Sequence, residues 1–190
     1  MFLITILRRR KRLTLDVLAV LTSGDLCAII RYNLRERKGK EKMRALYFDM
    51  DGTIADLYGV NNWLDFLRAE DVMPYREAKP LVDLDLFTDL VNDLQERGYI
   101  IGVISWLSKN GSDRYNAEVT ITKMQWLRKN LPDIHWDEIH ITKYGTNKSI
   151  FGSGILFDDE SNNRKDWMRA DAENWAFSEK EIIEILQEII

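Results

Sequence analysis

YFDMDGTIAD, residues 47–56, joins the end of an apolar strand to a turn that carries two carboxylates. Asp49 follows directly after the strand RALYF (44–48), and Asp51 comes two residues later. Gly52 permits a sharp turn at this point. The turn lets the Asp49 side chain and the backbone of Asp51 converge on one point, which suits a hard cation such as Mg²⁺. The alternative interpretation is an Asp-Gly turn that caps the next helix.

From residue 43 onward, short apolar strands alternate with helical patterns. This alternation predicts an α/β fold, a doubly wound parallel sheet with helices on both faces. The expected strands are residues 44–48, 99–105, 138–142, 154–157 and 174–177.

Helix signals separate these strands. The spacing predicts helices over 83–97, ended by Gly98, and over 113–130. Asn62 is a candidate cap for a helix in NNWLDFLRAED (61–71), and Ser178 with Glu181 forms a capping-box pattern before a final amphipathic helix.

Polar residues follow two further strands. Ser105 ends YIIGVIS, and Asp158 and Asp159 follow ILF. Ligands of open parallel sheets bind beyond the carboxyl ends of the strands, so these residues should converge if the strand before Asp49 is central. Four carboxylates in one crevice cannot all ionise comfortably without a cation, so the charge itself implies a metal. Lys148, ten residues before Asp158, can add positive charge.

The order of these motifs resembles the haloacid dehalogenase (HAD) superfamily, most of whose members are Mg²⁺-dependent phosphatases. The resemblance covers roughly residues 44–177, through DMDGT, Ser105, Lys148 and DD. DMDGTIAD, with a lysine ten residues before DD, looks most like the cytosolic 5'(3')-deoxyribonucleotidase branch. It implies a HAD-like Rossmannoid core with a small helical cap at about 57–83, a lid that would leave the site rather open.

The resemblance also implies a role for each matching residue. Asp49 would be the nucleophile that forms an aspartyl-phosphate, and Asp51 would be the general acid and then the base. The implied phosphate-binding residues are Thr53, which lies on the turn that positions Asp51, Ser105 and Lys148. The implied Mg²⁺ ligands are Asp49, Asp51, Asp158 and Asp159, without a choice between the last two for direct contact.

Some assignments keep an alternative. Lys143 could replace Lys148, although it lies at a strand end, and Ser108 could replace Ser105, although it lies beyond the strand. Asp56 is either a partner of the site's carboxylates or a helix cap.

The cap region has aromatic residues that could stack a nucleobase or simply pack the lid on the core. They are Trp63, Phe66 and Tyr75. Trp106 is assigned to packing in preference to a substrate contact. Arg68 and Arg76 are candidates for a second phosphate contact.

Composition bounds the remaining possibilities. With 190 residues, 45% of them apolar, the chain suffices for one domain with a small appendage. A single cysteine, Cys27, excludes a disulfide framework and favours the cytoplasm. No apolar run approaches the ~20 residues that span a bilayer, so a membrane partner is not expected.

The N-terminal 42 residues differ in charge from the rest. Residues 1–42 carry a net charge of +7 and residues 43–190 a net charge of −11, so the body repels nucleic acid. A helix from Thr14 and a strand over 26–30 are candidates here. The arm is interpreted as a nucleic-acid contact, a partner-docking element or an extension outside the functional chain.

The segment before Met43 favours the third interpretation, an extension outside the functional chain. KGKEK can be encoded by purine-rich codons, as in a translated ribosome-binding site before Met43. We therefore expect residues 43–190 to be the HAD-like hydrolase domain. Mass spectrometry of the native product tests this expectation, because a mature chain that starts at Met1 contradicts it.

Together these features predict a Mg²⁺-dependent phosphatase that hydrolyses a small phosphomonoester through an aspartyl-phosphate, with a nucleoside monophosphate as the candidate substrate. Two alternatives remain. One is a non-catalytic binding module with a HAD fold. The other is a nucleic-acid end-processing phosphatase guided by the basic arm.

Overall fold

The computed structural model describes residues 44–190. The helix expected from Thr14, the strand expected over 26–30 and the start at Met43 lie outside the described residues. The strands are β1 (Arg44–Phe48), β2 (Ala55–Asp56), β3 (Lys79–Pro80), β4 (Tyr99–Trp106), β5 (Glu138–Thr142), β6 (Ile155–Phe157) and β7 (Trp175–Phe177). The α-helices are α1 (Trp63–Arg68), α2 (Met73–Glu77), α3 (Leu84–Glu96), α4 (Asp113–Asn130), α5 (Ser161–Ala170) and α6 (Ile182–Ile189).

Five strands form one parallel sheet in the order β5-β4-β1-β6-β7, so β1 lies at its centre. Phe48 is opposite Val103 of β4 and Phe157 of β6, and the carboxyl ends of these three strands therefore lie side by side. The predicted α/β fold class is confirmed, and the condition for convergence of the polar residues, a central β1, is met.

Side chains of β1 alternate between two apolar layers. On one face Phe48 packs edge-on against Phe87 of α3, with ring centroids 5.1 Å apart. On the other face Tyr47 packs edge-on against Trp167 of α5 at 5.5 Å. All four side chains are buried. Because both faces are covered by helices, the sheet is doubly wound and its polar groups concentrate at the strand ends.

The helix boundaries agree with the sequence signals at most positions, and two differ. Asn62 precedes α1 with φ 57°, and its side chain makes no capping hydrogen bond, so the predicted cap is wrong. The capping box of Ser178 and Glu181 is present, but it opens a 3₁₀ turn (Glu179–Glu181) before α6. Strand β4 also extends one residue further than predicted, to Trp106.

A small cap lies between β2 and β3 and contains α1 and α2. It shares a buried apolar cluster with α4, formed by Leu57, Val72, Tyr75, Tyr115 and Val119. The cap and α4 therefore have one common core.

Hydrogen bonds add to this attachment. The Tyr115 hydroxyl donates to the carbonyl oxygen of Asp71 at 3.1 Å, and the Glu70 carboxylate accepts from the backbone N–H of Ser112 at 2.7 Å and from its hydroxyl at 2.6 Å. Ser112 is the N-cap of α4. The cap is thus anchored at the start of this helix as well as along its side.

None of the helices within residues 44–190 combines the length and apolarity of a membrane span.

Candidate active site

Asp49 lies at the carboxyl end of β1, where its backbone N–H donates to the carbonyl oxygen of Phe157 at 2.9 Å. Its carboxylate oxygen Oδ1 lies 2.8 Å from the ammonium of Lys148, and the same ammonium lies 2.6 Å from Oδ2 of Asp158. All three side chains are buried. Burial alone lowers the pKa of Lys148, but the charges of Asp49 and Asp158 outweigh it and raise the pKa. Lys148 is therefore a fixed cation between two carboxylates.

A third carboxylate completes a candidate metal centre. One oxygen each of Asp49, Asp158 and Asp159 lies within 4.8 Å of the others. Burial, and then the negative charge of Asp49, raise the pKa of Asp158 to about 6 and that of Asp159 to about 7. Carboxylate oxygens are the ligands that Mg²⁺ prefers, and a divalent ion would offset this repulsion. The donor set therefore fits Mg²⁺.

The two consecutive aspartates have different surroundings. The Asp158 carboxylate is completely buried and accepts from Lys148, from the backbone N–H of Glu160 at 2.9 Å and from Asn163 at 3.1 and 3.2 Å. Asp159 also lines the pocket above the sheet, where its Oδ1 lies 3.5 Å from the Thr53 hydroxyl. Asp158 is thus largely saturated by the protein, and Asp159 retains more capacity to bind a ligand.

The hydroxyls of Thr53 and Ser105, both predicted to bind phosphate, are completely buried. The Thr53 hydroxyl accepts from the backbone N–H of Asp159 at 3.0 Å, and the Ser105 hydroxyl accepts from Lys123 at 2.8 Å. The structure therefore places both hydroxyls against protein partners. Ser108, the alternative to Ser105, lies in the pocket lining.

Lys123 is a site residue that the sequence interpretation missed, as are Tyr58 and Tyr144 of the cavity wall described below. Its ammonium lies 2.6 Å from Oδ2 of Asp51 and 2.7 Å from the carbonyl oxygen of Trp106, besides its bond to Ser105. Only 1% of Lys123 is exposed. The sequence contained a signal, because Lys123 falls on the buried side of α4 together with Val119.

The carboxylate of Asp51 therefore points to Lys123 and lies outside the group formed by the other three aspartates. Burial raises the pKa of Asp51, and the charge of Lys123 acts against this shift. Metal contact through the Asp51 backbone stays a prediction.

A cavity of about 370 Å³ lies directly above these groups and reaches Asp49, Asp51, Lys148 and Asp159. Its wall is rich in aromatic residues: Tyr58, Trp63, Tyr75, Trp106 and Tyr144. A cavity of this size, with an apolar wall and a charged floor, is typical of a small-molecule site.

The aromatic wall contains two ring pairs. Tyr58 and Trp63 meet edge-on with centroids 5.0 Å apart, and Trp106 and Tyr144 are tilted at 4.9 Å. Trp106 also donates to the carbonyl oxygen of Thr146 at 2.9 Å, so it both packs and lines the cavity. Arg68 lines the cavity as well.

Other candidates lie away from the carboxylates. Lys143 is exposed, whereas Lys148 is buried against Asp49. Asp56 accepts from the backbone N–H of Gly59 at 2.8 Å, which stabilises the local turn. Phe66 and Arg76 are absent from the described cavity wall.

Comparison with known proteins gives structural neighbours only. No family model and no curated protein matches the chain. A solved structure of D,D-heptose 1.7-bisphosphate phosphatase from B. bronchiseptica, complexed with magnesium and phosphate, is similar with a TM-score of 0.48 and 7% identity, over 77% of this chain and 98% of that chain. A candidate HAD-like phosphatase from Mesorhizobium loti is similar with a TM-score of 0.48 and 14% identity, over 79% of this chain and 87% of that chain.

Proposed function

We propose that this protein is a Mg²⁺-dependent phosphomonoesterase of the HAD type. The observation that carries the proposal is the placement of Asp49 at the floor of an aromatic cavity, beside Lys148 and within 4.8 Å of two further carboxylates. Phosphoryl transfer needs an in-line nucleophile and compensation of charge more than elaborate proton chemistry. In this proposal Asp49 supplies the nucleophile, and Lys148 with a bound cation supplies the compensation of charge.

Asp49 is the proposed nucleophile. A carboxylate oxygen attacks phosphorus, the bond from phosphorus to the leaving oxygen breaks, and an aspartyl-phosphate forms on Asp49. Asp51 gives a proton to the leaving oxygen and then takes one from the water that hydrolyses the aspartyl-phosphate. Lys148, next to Asp49, offsets negative charge on the phosphoryl oxygens.

Asp49, Asp159 and Asp158 are the proposed holders of Mg²⁺. When bound, the ion supplies neutralisation of charge on the phosphoryl group and the carboxylates. Thr53 supports this arrangement through its bond to the Asp159 backbone, because that bond fixes the turn after β6 to the turn after β1.

The proposed substrate is a small monophosphate with a flat aromatic leaving group, such as a deoxynucleoside monophosphate in the manner of the 5'(3')-deoxyribonucleotidase branch. The support is the aromatic wall, since a ring face can stack a base with little loss of side-chain entropy. With a single cysteine among its 190 residues, the chain has no pair for an internal disulfide, which supports the proposed cytoplasmic location.

The direct test is release of orthophosphate from a panel of monophosphates, with MgCl₂ or with EDTA. We expect turnover with Mg²⁺, strong suppression by EDTA, and a preference for nucleoside over sugar monophosphates. Asp49→Asn should reduce turnover at least about 1,000-fold because it removes the nucleophile while preserving side-chain volume.

A matched control is Asp56→Asn, which changes an aspartate in a nearby turn outside the cavity. It should retain wild-type turnover. Retained activity in Asp49→Asn would reject the mechanism. Absence of turnover on the whole panel, with ligand-induced stabilisation of the wild type, would favour the non-catalytic binding module.

A further inference from the structure

Lys123 is a buried cation on α4 whose three ammonium contacts reach different parts of the site. The ammonium donates to Oδ2 of Asp51 at 2.6 Å, to the hydroxyl of Ser105 at 2.8 Å and to the carbonyl oxygen of Trp106 at 2.7 Å. An ammonium group has three donors, so these contacts use all of them. Its direction is therefore fixed by the protein.

The same ammonium also touches the cap. It lies 5.1 Å from the centroid of the Tyr75 ring, and Tyr75 belongs to the apolar cluster that the cap shares with α4. A cation over an aromatic face in a desolvated place adds an electrostatic attraction to the ring. Lys123 thus contacts the turn after β1, the end of β4 and helix α2 of the cap.

The contact with Lys123 engages one of the two carboxylate oxygens of Asp51. Asp51 lies three residues after the end of β1, in a turn whose next residue, Gly52, has φ +80°. The bond to Lys123 uses one carboxylate oxygen, Oδ2, and leaves Oδ1 for proton transfer. A general acid must lie within hydrogen-bond reach of the leaving oxygen, so a fixed orientation of this carboxylate decides its efficiency.

We propose that Lys123 is the positioning residue of Asp51, which holds the carboxylate in the orientation that protonates the leaving oxygen. This rests on the proposed phosphatase function and adds a residue to its machinery. Lys123 touches neither substrate nor metal in this proposal. It acts through Asp51, and its contacts with Ser105 and Trp106 keep its own ammonium in place.

The test uses the leaving-group dependence of kcat/KM. This parameter reports the first irreversible step, which is phosphoryl transfer to Asp49. p-Nitrophenyl phosphate has a leaving group that departs without a proton, whereas glycerol 2-phosphate needs an acid. In Lys123→Met we expect kcat/KM to fall about 100-fold for glycerol 2-phosphate and less than about 5-fold for p-nitrophenyl phosphate, as for loss of acid catalysis.

Matched variants make this result specific. Lys129→Met removes an exposed lysine from the same helix and should leave kcat/KM unchanged for both substrates. Asp51→Asn should show the same selectivity between the two substrates as Lys123→Met, and the double variant should be no worse than Asp51→Asn alone because the two residues act as a unit. An additive double variant would overturn the proposal.

Other outcomes separate its failure from that of the proposed function. If the wild type hydrolyses both substrates and Asp49→Asn does not, but Lys123→Met loses both equally, the phosphatase stands and the positioning role is rejected. If Lys123→Met does not fold, Lys123→Gln is tested in its place, because the glutamine amide keeps a neutral group with two N–H donors. It must show a selective loss of kcat/KM for glycerol 2-phosphate, smaller than the loss expected for Lys123→Met. Equal loss in Lys123→Gln overturns the proposal.

Discussion

The ammonium nitrogen of Lys148 lies 2.8 Å from Oδ1 of Asp49, and neither side chain is more than 10% exposed. A buried ion pair of this kind costs desolvation, and removal of one partner leaves the other uncompensated. The pair is therefore a point where stability and the proposed chemistry depend on the same contact.

Lys148→Met should lower the free energy of unfolding by about 3–5 kcal/mol in EDTA, because Asp49 and Asp158 lose their buried cation. MgCl₂ should recover part of this loss if the ion binds the same carboxylates. Urea denaturation with and without Mg²⁺ measures both effects. Lys143→Met, at an exposed lysine of the preceding loop, is the control and should change little. Equal stability of the two variants would contradict this prediction.

Gly52→Ala should weaken Mg²⁺ binding at least about 10-fold. Gly52 has φ +80°, and an added Cβ would lie 2.6 Å from Oδ2 of Asp159 and 2.5 Å from Cε2 of Tyr58. Gly98→Ala is the matched control, since Gly98 has φ +84° but open space around the added Cβ. Both variants should lose about 1–2 kcal/mol of stability from the backbone. Calorimetric titration measures the Mg²⁺ affinity of the two variants. Equal affinities would contradict the expectation that the added Cβ at position 52 displaces the Asp159 carboxylate from the metal.

Stability without metal should fall as the pH rises from about 4 to about 7. Burial and the charge of Asp49 raise the pKa values of Asp158 to about 6 and of Asp159 to about 7 in the folded protein. A raised pKa means that the folded state binds more protons than the unfolded state above pH ~4, so ionisation of these groups destabilises it.

Mg²⁺ should reverse this trend, because it binds the ionised carboxylates. The Tm in EDTA should be lower at pH 8 than at pH 5, and the Mg²⁺-induced rise in Tm should be larger at pH 8. In Asp159→Asn the rise should be smaller at both pH values. An equal rise at pH 5 and pH 8 in the wild type would count against the carboxylate centre.

Trp63→Ala should raise the KM for nucleoside monophosphates about 10-fold or more, since base stacking contributes ~1–3 kcal/mol. Trp63 lines the cavity and pairs with Tyr58. Hydrolysis of glycerol 2-phosphate, which has no ring to stack, should be nearly unchanged. Phe66→Ala on the same helix, outside the described cavity wall, is the control. Equal effects of Trp63→Ala on both substrates would remove the support for a stacked base.

Much of the fold follows from local sequence signals. The convergence of Asp49, Asp158 and Asp159 follows from apolar strands that end in acidic residues, provided that β1 is central. The strand order, which the sequence left as a condition, meets this requirement. The predicted N-cap bond of Asn62 is absent, and the backbone there is left-handed, whereas a residue that caps a helix with its side chain is typically extended.

Local sequence patterns do not predict the side-chain contacts of Thr53, Ser105 and Lys123. Each depends on which side chains meet across 18 to 106 residues of chain. A motif specifies a hydroxyl at a strand end, but whether a lysine from α4 covers that hydroxyl is decided by the packing of the helix. A lysine within an apolar helical stripe is the feature that could have raised the question.

The anchoring of the cap on α4 affects how molecules reach the cavity. Glu70 is bonded to the first turn of this helix, and Tyr75 is buried against its middle. A hinge motion of the cap would have to break both attachments at every turnover. We therefore expect substrates to enter and products to leave by diffusion through an opening of fixed width. The cross-section of a phosphate ester, and not a closing movement of the cap, should then determine whether it reaches the cavity.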